Sequence, residues 1–479
     1  MLRLFFAQRP KHVVLPQRGQ KSPRPHLIKR HSLVPRLLAS FKPNFVGRSA
    51  LVSRLSSLVL LLILTACSDL VTPVKSTPEP TEYSFNYWLL QSLYLYEDEL
   101  PNLPEDGDSV QVLYNALKDP YTRYTPPSKS EAAIIGSTTS MIEGDVGMRY
   151  YTNFNLQHPI IIIRVYPESP AGHAGVPRYG YILNANGIEL TGERAKVTYD
   201  SIVNYSKIVN IQVAYKGDTA SYTLVKETIY APTVFVDTLY DDTAKGYPGI
   251  IFITIEGFKP KTADQKNGTY GELKSYLDST SADKRVRVLD LRGNPGGHIS
   301  QCLNMADLFV KEGTLSTRHL RSLTADGSSK HATVTVTAKA GDPGETGNYL
   351  ILANRGSASC SEIFIAAITE TTEIPLVGST TYGKGIGQSM YSTYANGLAT
   401  ITDLEFLTPK GNSYHGIGII PQYPCDEIGE DCAAKIASKL YGVKIPESED
   451  ALAKRHFEQN ENYFNIELEG GAIEWGDRL

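Results

Sequence analysis

The sequence predicts an α/β protein, with a strand–helix core, a small β-rich unit inserted ahead of it, and a helical region at the start of the folded part. Three observations predict this. From about Pro232 onward, apolar runs of strand length at 249–255, 286–291 and 349–353 alternate with helical patterns at 269–279, 301–309 and 361–369. That alternation is the texture of βαβ units around a mainly parallel sheet. Between about Glu143 and Lys226 the chain changes to short strands and turns, with an apolar run at 159–165, an Asn186-Gly187 hairpin signal and two further strands at 211–215 and 220–225. Before that, Tyr87, Trp88, Leu90, Leu93 and Tyr94 recur at helix spacing, as do Val110, Leu113 and Leu117.

The resulting division is a leader at 1–66, a tether at 67–81, a helical region at 82–140, a β-rich unit at 141–230, a core at 231–440 and an extension at 441–479. A chain of 479 residues can bury several cores, and 41 % apolar with 20 % charged residues is ordinary for a globular protein.

The net charge of −4 hides an asymmetry. Twelve of the 47 Lys and Arg residues lie in 1–54, which holds no acid, so 35 face all 51 Asp and Glu in the remainder. A body that acidic argues against nucleic acid as a partner. The basic stretch is followed by the apolar run Leu58-Val-Leu-Leu-Leu-Ile-Leu64 and then Thr65-Ala66-Cys67. A basic segment, a short apolar segment and small residues before a cut describe a secretory signal. Seven apolar residues cannot span a bilayer, which takes about 20. Leu64-Thr65-Ala66-Cys67 also resembles the lipobox of bacterial lipoproteins, which implies acylation of Cys67; an ordinary signal peptide with a chance cysteine is the competing reading. Of the remaining cysteines, Cys425 and Cys432 stand seven apart in a polar stretch and could pair in an oxidising compartment, whereas Cys302 and Cys360 are expected to be buried small residues. No Cys/His spacing suggests zinc.

The chemistry gathers in three segments. In Gly356-Ser-Ala-Ser-Cys-Ser-Glu362 a strand runs into a turn that opens a helix, so Ser359 sits beside free backbone N–H groups. The plain alternative is a serine N-cap with Glu362 completing a capping box. In Tyr382-Gly-Lys-Gly-Ile-Gly-Gln388 a lysine lies between glycines after the apolar strand 374–377. To serve as a base Lys384 must be neutral, and a lysine with an ordinary pKa near 10.4 is neutral in only about one molecule in a few thousand at pH 7. Burial has to lower it by about 3 units. In Asp290-Leu-Arg-Gly-Asn-Pro-Gly-Gly297 a strand ends in a glycine turn whose N–H groups could face a developing oxyanion beside the N–H of Cys360.

Together these segments resemble the C-terminal processing (tail-specific) serine peptidase family over about residues 85–425. Asp119-Pro-Tyr-Thr-Arg-Tyr124 and Thr408-Pro-Lys-Gly…Gly416-Ile-Gly-Ile-Ile-Pro421 resemble further family signatures. The resemblance implies a ClpP/crotonase-like core, Ser359 as nucleophile, Lys384 as general base and Gln388 orienting the lysine. Gly297 and Cys360 would supply the oxyanion amides, and no cofactor or metal is implied. It also implies that the β-rich unit is a PDZ domain taking protein C-terminal tails, with Gly147, Met148 and Arg149 as the carboxylate loop, although a degraded domain serving as a lid is an alternative. His298 and His415 leave a Ser/His mechanism conceivable. The expected protein is a lipid-anchored endopeptidase of the bacterial cell envelope, on the periplasmic side of the outer membrane with the cell surface as the alternative; the rival is an inactive peptide-binding lipoprotein of the same fold.

Overall fold

The computed structural model describes residues 80–446, apart from 105, 325–326, 340–343 and 426–428. The leader, Cys67, the tether as far as residue 79 and the extension from 447 onward lie outside the described residues.

The core is built on a six-stranded sheet in the spatial order Val234–Asp242, Tyr247–Ile255, Arg287–Asp290, Tyr349–Ala353, Leu376–Gly378, Tyr423–Pro424. The first pair is antiparallel and every later pair is parallel. Side chains alternate across a strand, and both faces of this sheet are covered. Ile251, Ile253, Leu289 and Ile351 face the helices Gly268–Ser279, Ile299–Asp307 and Cys360–Thr371. Ile250, Phe252, Val288, Leu350 and Leu352 face Ala433, Ala434 and Ala437 of the helix Glu430–Tyr441. Burial on both faces is why these strands read as unbroken apolar runs.

A second sheet did not show in the sequence. Arg123–Thr125, Leu398–Leu407, Thr314–Leu323 and Ser329–Thr337 form an antiparallel sheet, with Ile386–Ser392 paired to Leu398–Leu407. Thr314–Leu323 and Ser329–Thr337 are rich in Thr, Ser, Arg and Lys and largely half-buried or exposed, so no apolar run marks them. This sheet corrects the expected setting of Lys384. The strand Leu376–Gly378 ends well before it, and the lysine sits in the loop that leads into Ile386–Ser392.

The helical region, Glu82–Leu93, Val110–Asn115 and Pro127–Thr138, packs Leu89, Leu90, Leu93, Tyr94 and Leu113 on Ala399 and Ile401 of the antiparallel sheet. The inserted unit runs Met148–Thr152, Ile160–Val165, Tyr181–Ala185, Ile208–Tyr215, Asp218–Val225 in spatial order, with the helix Ala195–Tyr205 beside it. The chain enters and leaves it through one antiparallel ribbon, Met141–Asp145 with Glu227–Tyr230. Arg164 and Arg178 both pair with Asp237 of the core, and Arg149 pairs with Glu256 at 2.8 Å.

Candidate active site

Ser359 ends the turn after Tyr349–Ala353 and is the N-cap of the helix Cys360–Thr371. Its backbone, at φ 55° and ψ −113°, lies where a residue with a side chain is strained by about 1–3 kcal/mol. Glu362 holds it there. This fully buried carboxylate accepts from the Ser359 N–H (2.9 Å) and the Lys384 N–H (2.8 Å) on Oε2, and from the Thr381 hydroxyl (2.5 Å) and the Gly383 N–H (2.6 Å) on Oε1. The helix cap read from sequence is therefore a junction between the serine turn and the lysine loop. Burial pushes the Glu362 carboxyl up, and those four donors oppose the shift.

The neighbouring serines have other work. Ser357 donates to the Leu291 carbonyl (2.7 Å) and Ser361 to the Asn294 carbonyl (2.8 Å), and both are fully buried. They lace the serine turn to the loop 291–298. That loop is anchored by Arg292, whose guanidinium bridges Asp290 (2.6 Å) and Glu430 (2.7 Å). Gly296 comes so close to Ser359 that a Cβ there would stand 2.9 Å from both the Ser359 Cβ and the Cys360 nitrogen. Next to it, Gly297 at φ 145° pairs with Phe258, which leaves no room for a side chain. The two amides expected to face an oxyanion thus come from segments in van der Waals contact.

Lys384 is half-buried, and burial with the neighbouring Arg123 charge lowers its pKa to about 8. The apolar segment 374–377 does not supply that burial. Its cover comes from the helical region, where the Tyr121 ring, between the helices Val110–Asn115 and Pro127–Thr138, lies 4.2 Å from Nζ. Nζ donates to Gln388 Oε1 at 3.0 Å, and Gln388 Nε2 donates to the Thr402 hydroxyl at 3.0 Å. The register shifts between Gly387 and Gln388, which sets Gln388 opposite Thr402; such irregularities commonly re-aim a side chain. Among the described residues, no hydrogen bond joins Ser359 to Lys384. Catalytic hydrogen bonds are often long before substrate arrives.

The expected disposition of two cysteines is corrected. Cys302 and Cys360 are bonded to each other, with Cα atoms 5.7 Å apart, and Cys425 is bonded to Cys432. Both members of the first pair lie in apolar or Ser-rich runs 58 residues apart, and only the fold brings their helices together.

In the inserted unit, Gly147 has φ 80°, its N–H donates to Asp145 Oδ1 (2.6 Å) and its carbonyl accepts from the Tyr166 N–H (2.9 Å). Met148 opens the edge strand, and the Arg149 guanidinium meets the Tyr166 hydroxyl and Glu256. Two of the three groups expected to grip a carboxylate thus have partners within the protein. His298 Nδ1 lies 2.9 Å from the Ser300 hydroxyl, and His415 is exposed. Among the described residues, neither is hydrogen-bonded to Ser359. No group of three or more His, Cys, Asp or Glu is placed to hold a metal ion among them.

Sequence reasoning overlooked Tyr121 and Arg123 as parts of this site and gave Glu362 only a capping role. The signal for Glu362 was the capping box itself, and nothing local connected Tyr121 to a lysine more than 260 residues away.

The sequence model of peptidase family S41 matches residues 249–425, the stretch that holds the parallel strands, Ser359, Lys384 and Gln388. Residues 249–425 are thus similar to peptidase family S41. Among curated relatives, a "Probable CtpA-like serine protease" of Staphylococcus aureus strain N315 is 27 % identical over 343 residues, which is 71 % of this chain. The chain spans 63 % of the length of that relative. A solved S41 protease candidate from Bacteroides fragilis superimposes with TM-score 0.50 at 14 % identity, over 76 % of this chain and 98 % of the other, a likeness of fold alone. A photosystem II D1 C-terminal processing protease covers 73 % of the chain at 20 % identity with TM-score 0.43.

Proposed function

We propose that this chain is a Ser/Lys endopeptidase that cleaves proteins recognised through their C-terminal tails. The observation that carries the reading is the pair of N–H groups, from Ser359 and Lys384, on one Glu362 oxygen, with the lysine pKa lowered to about 8. In the proposed reaction neutral Lys384 turns from Gln388 to Ser359 and takes its proton as Oγ attacks the scissile carbonyl. The tetrahedral oxyanion faces the amides of Gly297 and Cys360. The lysine ammonium then gives its proton to the leaving amine, and an acyl-enzyme remains on Ser359 until water, deprotonated by the same lysine, hydrolyses it. The inserted unit acts as a PDZ domain that adds the substrate tail to its edge strand Met148–Thr152. The leader and Cys67 support a lipid-anchored protein of the bacterial cell envelope, periplasmic at the outer membrane.

The lack of a Ser359–Lys384 hydrogen bond favours one other reading, an inactive lipoprotein that binds peptides. Incubation with an unstructured protein separates the two when Ser359→Ala and Lys384→Ala variants run alongside. Cleavage by the parent chain, lost in both variants, is expected. Cleavage that survives both would overturn the dyad, and none by the parent chain would favour the binding protein.

A further inference from the structure

The two amides that would stabilise an oxyanion belong to segments far apart in sequence. Gly297 closes a loop in which Gly293, Gly296 and Gly297 all have positive φ, at 66°, 103° and 145°. Cys360 is the first residue of the nucleophile helix. Between them run ordinary hydrogen bonds, Ala358 N–H to the Asn294 carbonyl (3.0 Å), Ser361 hydroxyl to the same carbonyl (2.8 Å) and Ser357 hydroxyl to the Leu291 carbonyl (2.7 Å), while the Gly297 end of the loop is held instead to Phe258. Each such bond adds only about 1 kcal/mol net. An oxyanion hole works when its donors stand about 2.7–3.1 Å from the developing charge, and displacement by about 1 Å can slow a reaction ~100-fold. With glycine at three positions, no side-chain sterics fix the backbone of this loop, so the placing of its donor depends on the contacts around it.

One covalent tie crosses this gap. Cys302 lies one turn into the helix Ile299–Asp307, which continues directly from the glycine loop, and its partner is Cys360 itself. Both residues are fully buried. Disulfide geometry restricts the bonded Cα atoms to a range of about 2 Å. The bond therefore joins the helix that follows Gly297 to the residue that bears the second amide.

We propose that the Cys302–Cys360 disulfide is a positioning element of the oxyanion hole, holding the Cys360 amide at a fixed offset from the Gly297 amide, so that full turnover requires this pair to be oxidised. The proposal rests on the Ser/Lys peptidase reading. Cys425–Cys432 provides an internal comparison. It closes a seven-residue separation at the far edge of the parallel sheet, where the Cys425 N–H donates to Gly378.

The test uses the full chain with Cys302→Ala/Cys360→Ala and, separately, Cys425→Ala/Cys432→Ala. The disulfide state of each protein is read by mass after alkylation in denaturant. Melting temperatures are measured, and kcat and KM on an unstructured protein are taken at least 15 °C below each midpoint. Labelling of Ser359 by a fluorophosphonate, which phosphonylates the hydroxyl with loss of fluoride, reports the reactivity of the serine independently of peptide binding. The expected result for the first variant is a fall of about 10- to 100-fold in kcat and in labelling rate, with KM within twofold. The second variant keeps kcat and labelling within twofold even if its midpoint falls. A folded first variant that turns over and labels at the parent rate overturns the proposal, as does a loss confined to KM or to melting temperature. Should the parent chain neither cleave nor label, the peptidase reading itself falls and takes the proposal with it.

Discussion

Ser359 and Lys384 donate their backbone N–H groups to the same oxygen, Glu362 Oε2, at 2.9 and 2.8 Å. A serine that opens a helix and a lysine from a separate loop are thereby held in register by one carboxylate from the first turn of the serine's own helix. The hydroxyl and the ammonium themselves remain unbonded to each other, so the backbone geometry is set before substrate arrives and the side-chain contact is left to form.

Glu362→Gln tests this junction. The amide keeps one acceptor oxygen but replaces the other with a donor, which then confronts two of the four groups now donating to the carboxylate. Leaving buried donors unpaired costs about 1–3 kcal/mol each. The variant is expected to unfold at least about 2 kcal/mol more easily in urea and to lose more than ~100-fold in kcat. A variant with parental kcat would show that the junction is only structural.

A lysine with its pKa lowered to about 8 is neutral in roughly one molecule in ten at pH 7. The rate limited by that base should rise tenfold per pH unit below about 8 and level off above it. Arg123 contributes to the lowering, so Arg123→Gln raises the lysine pKa, moves the whole limb toward alkaline pH and slows cleavage at pH 7 severalfold. A pH profile of kcat/KM for the two proteins checks both the position and the direction.

Tyr121 acts on the same lysine in two opposed ways. Its ring attracts an ammonium, by about 0.5–2 kcal/mol, which favours the charged form; its bulk excludes water, which favours the neutral form. Burial is the leading cause of the net lowering. Tyr121→Ala should therefore move the limb to higher pH, while Tyr121→Phe, which keeps the ring, should leave it in place. A shift toward lower pH in the alanine variant would mean that the cation–π attraction dominates.

Gly296 tests the approach of the oxyanion loop. A methyl group there would press on the Ser359 Cβ and the Cys360 nitrogen, both 2.9 Å away, from a backbone at φ 103°. Gly296→Ala should cut kcat by about 100-fold or more while the far-ultraviolet dichroism stays native. Parental kcat would place the oxyanion elsewhere.

Asp403 gives a stability signature separate from catalysis. Burial raises its carboxyl to about 6 against the opposing hydrogen bonds of Ser389 and Tyr391, whose hydroxyl donates to Oδ2 (2.6 Å). The folded state holds this proton more tightly than the unfolded chain does, so stability falls as pH rises from about 4 to about 6. Asp403→Asn should remove that fall and gain about 2 kcal/mol above pH 6, measurable by urea unfolding at pH 4.5 and 7. An unchanged difference between the two pH values would locate the titration elsewhere.

The parallel core was legible because its strands are buried on both faces and so carry unbroken apolar runs, as in Gly249-Ile-Ile-Phe-Ile-Thr-Ile255. The inserted unit was legible from its Asn186-Gly187 turn, since a positive φ at both positions suits few other residues. The antiparallel sheet was not, because Thr314–Leu323 and Ser329–Thr337 are one-sided and polar. The lysine was noticed for its glycine neighbours, but its setting was misread, since the strand it serves follows it rather than precedes it.

By itself the sequence determined which residues carry reactive groups and which local turns present them: Ser359 at a helix start, Lys384 between glycines, and a glycine turn ending at Gly297. Those are properties of a few neighbouring residues, set by backbone sterics and capping. Tertiary structure alone decided that Glu362 joins serine to lysine, that Tyr121 and Arg123 tune the lysine, and that Cys302 reaches Cys360. Each depends on a distance between segments tens to hundreds of residues apart. Lowering a pKa, or closing a bond, takes several such segments within a few ångströms at once, and no local pattern records that.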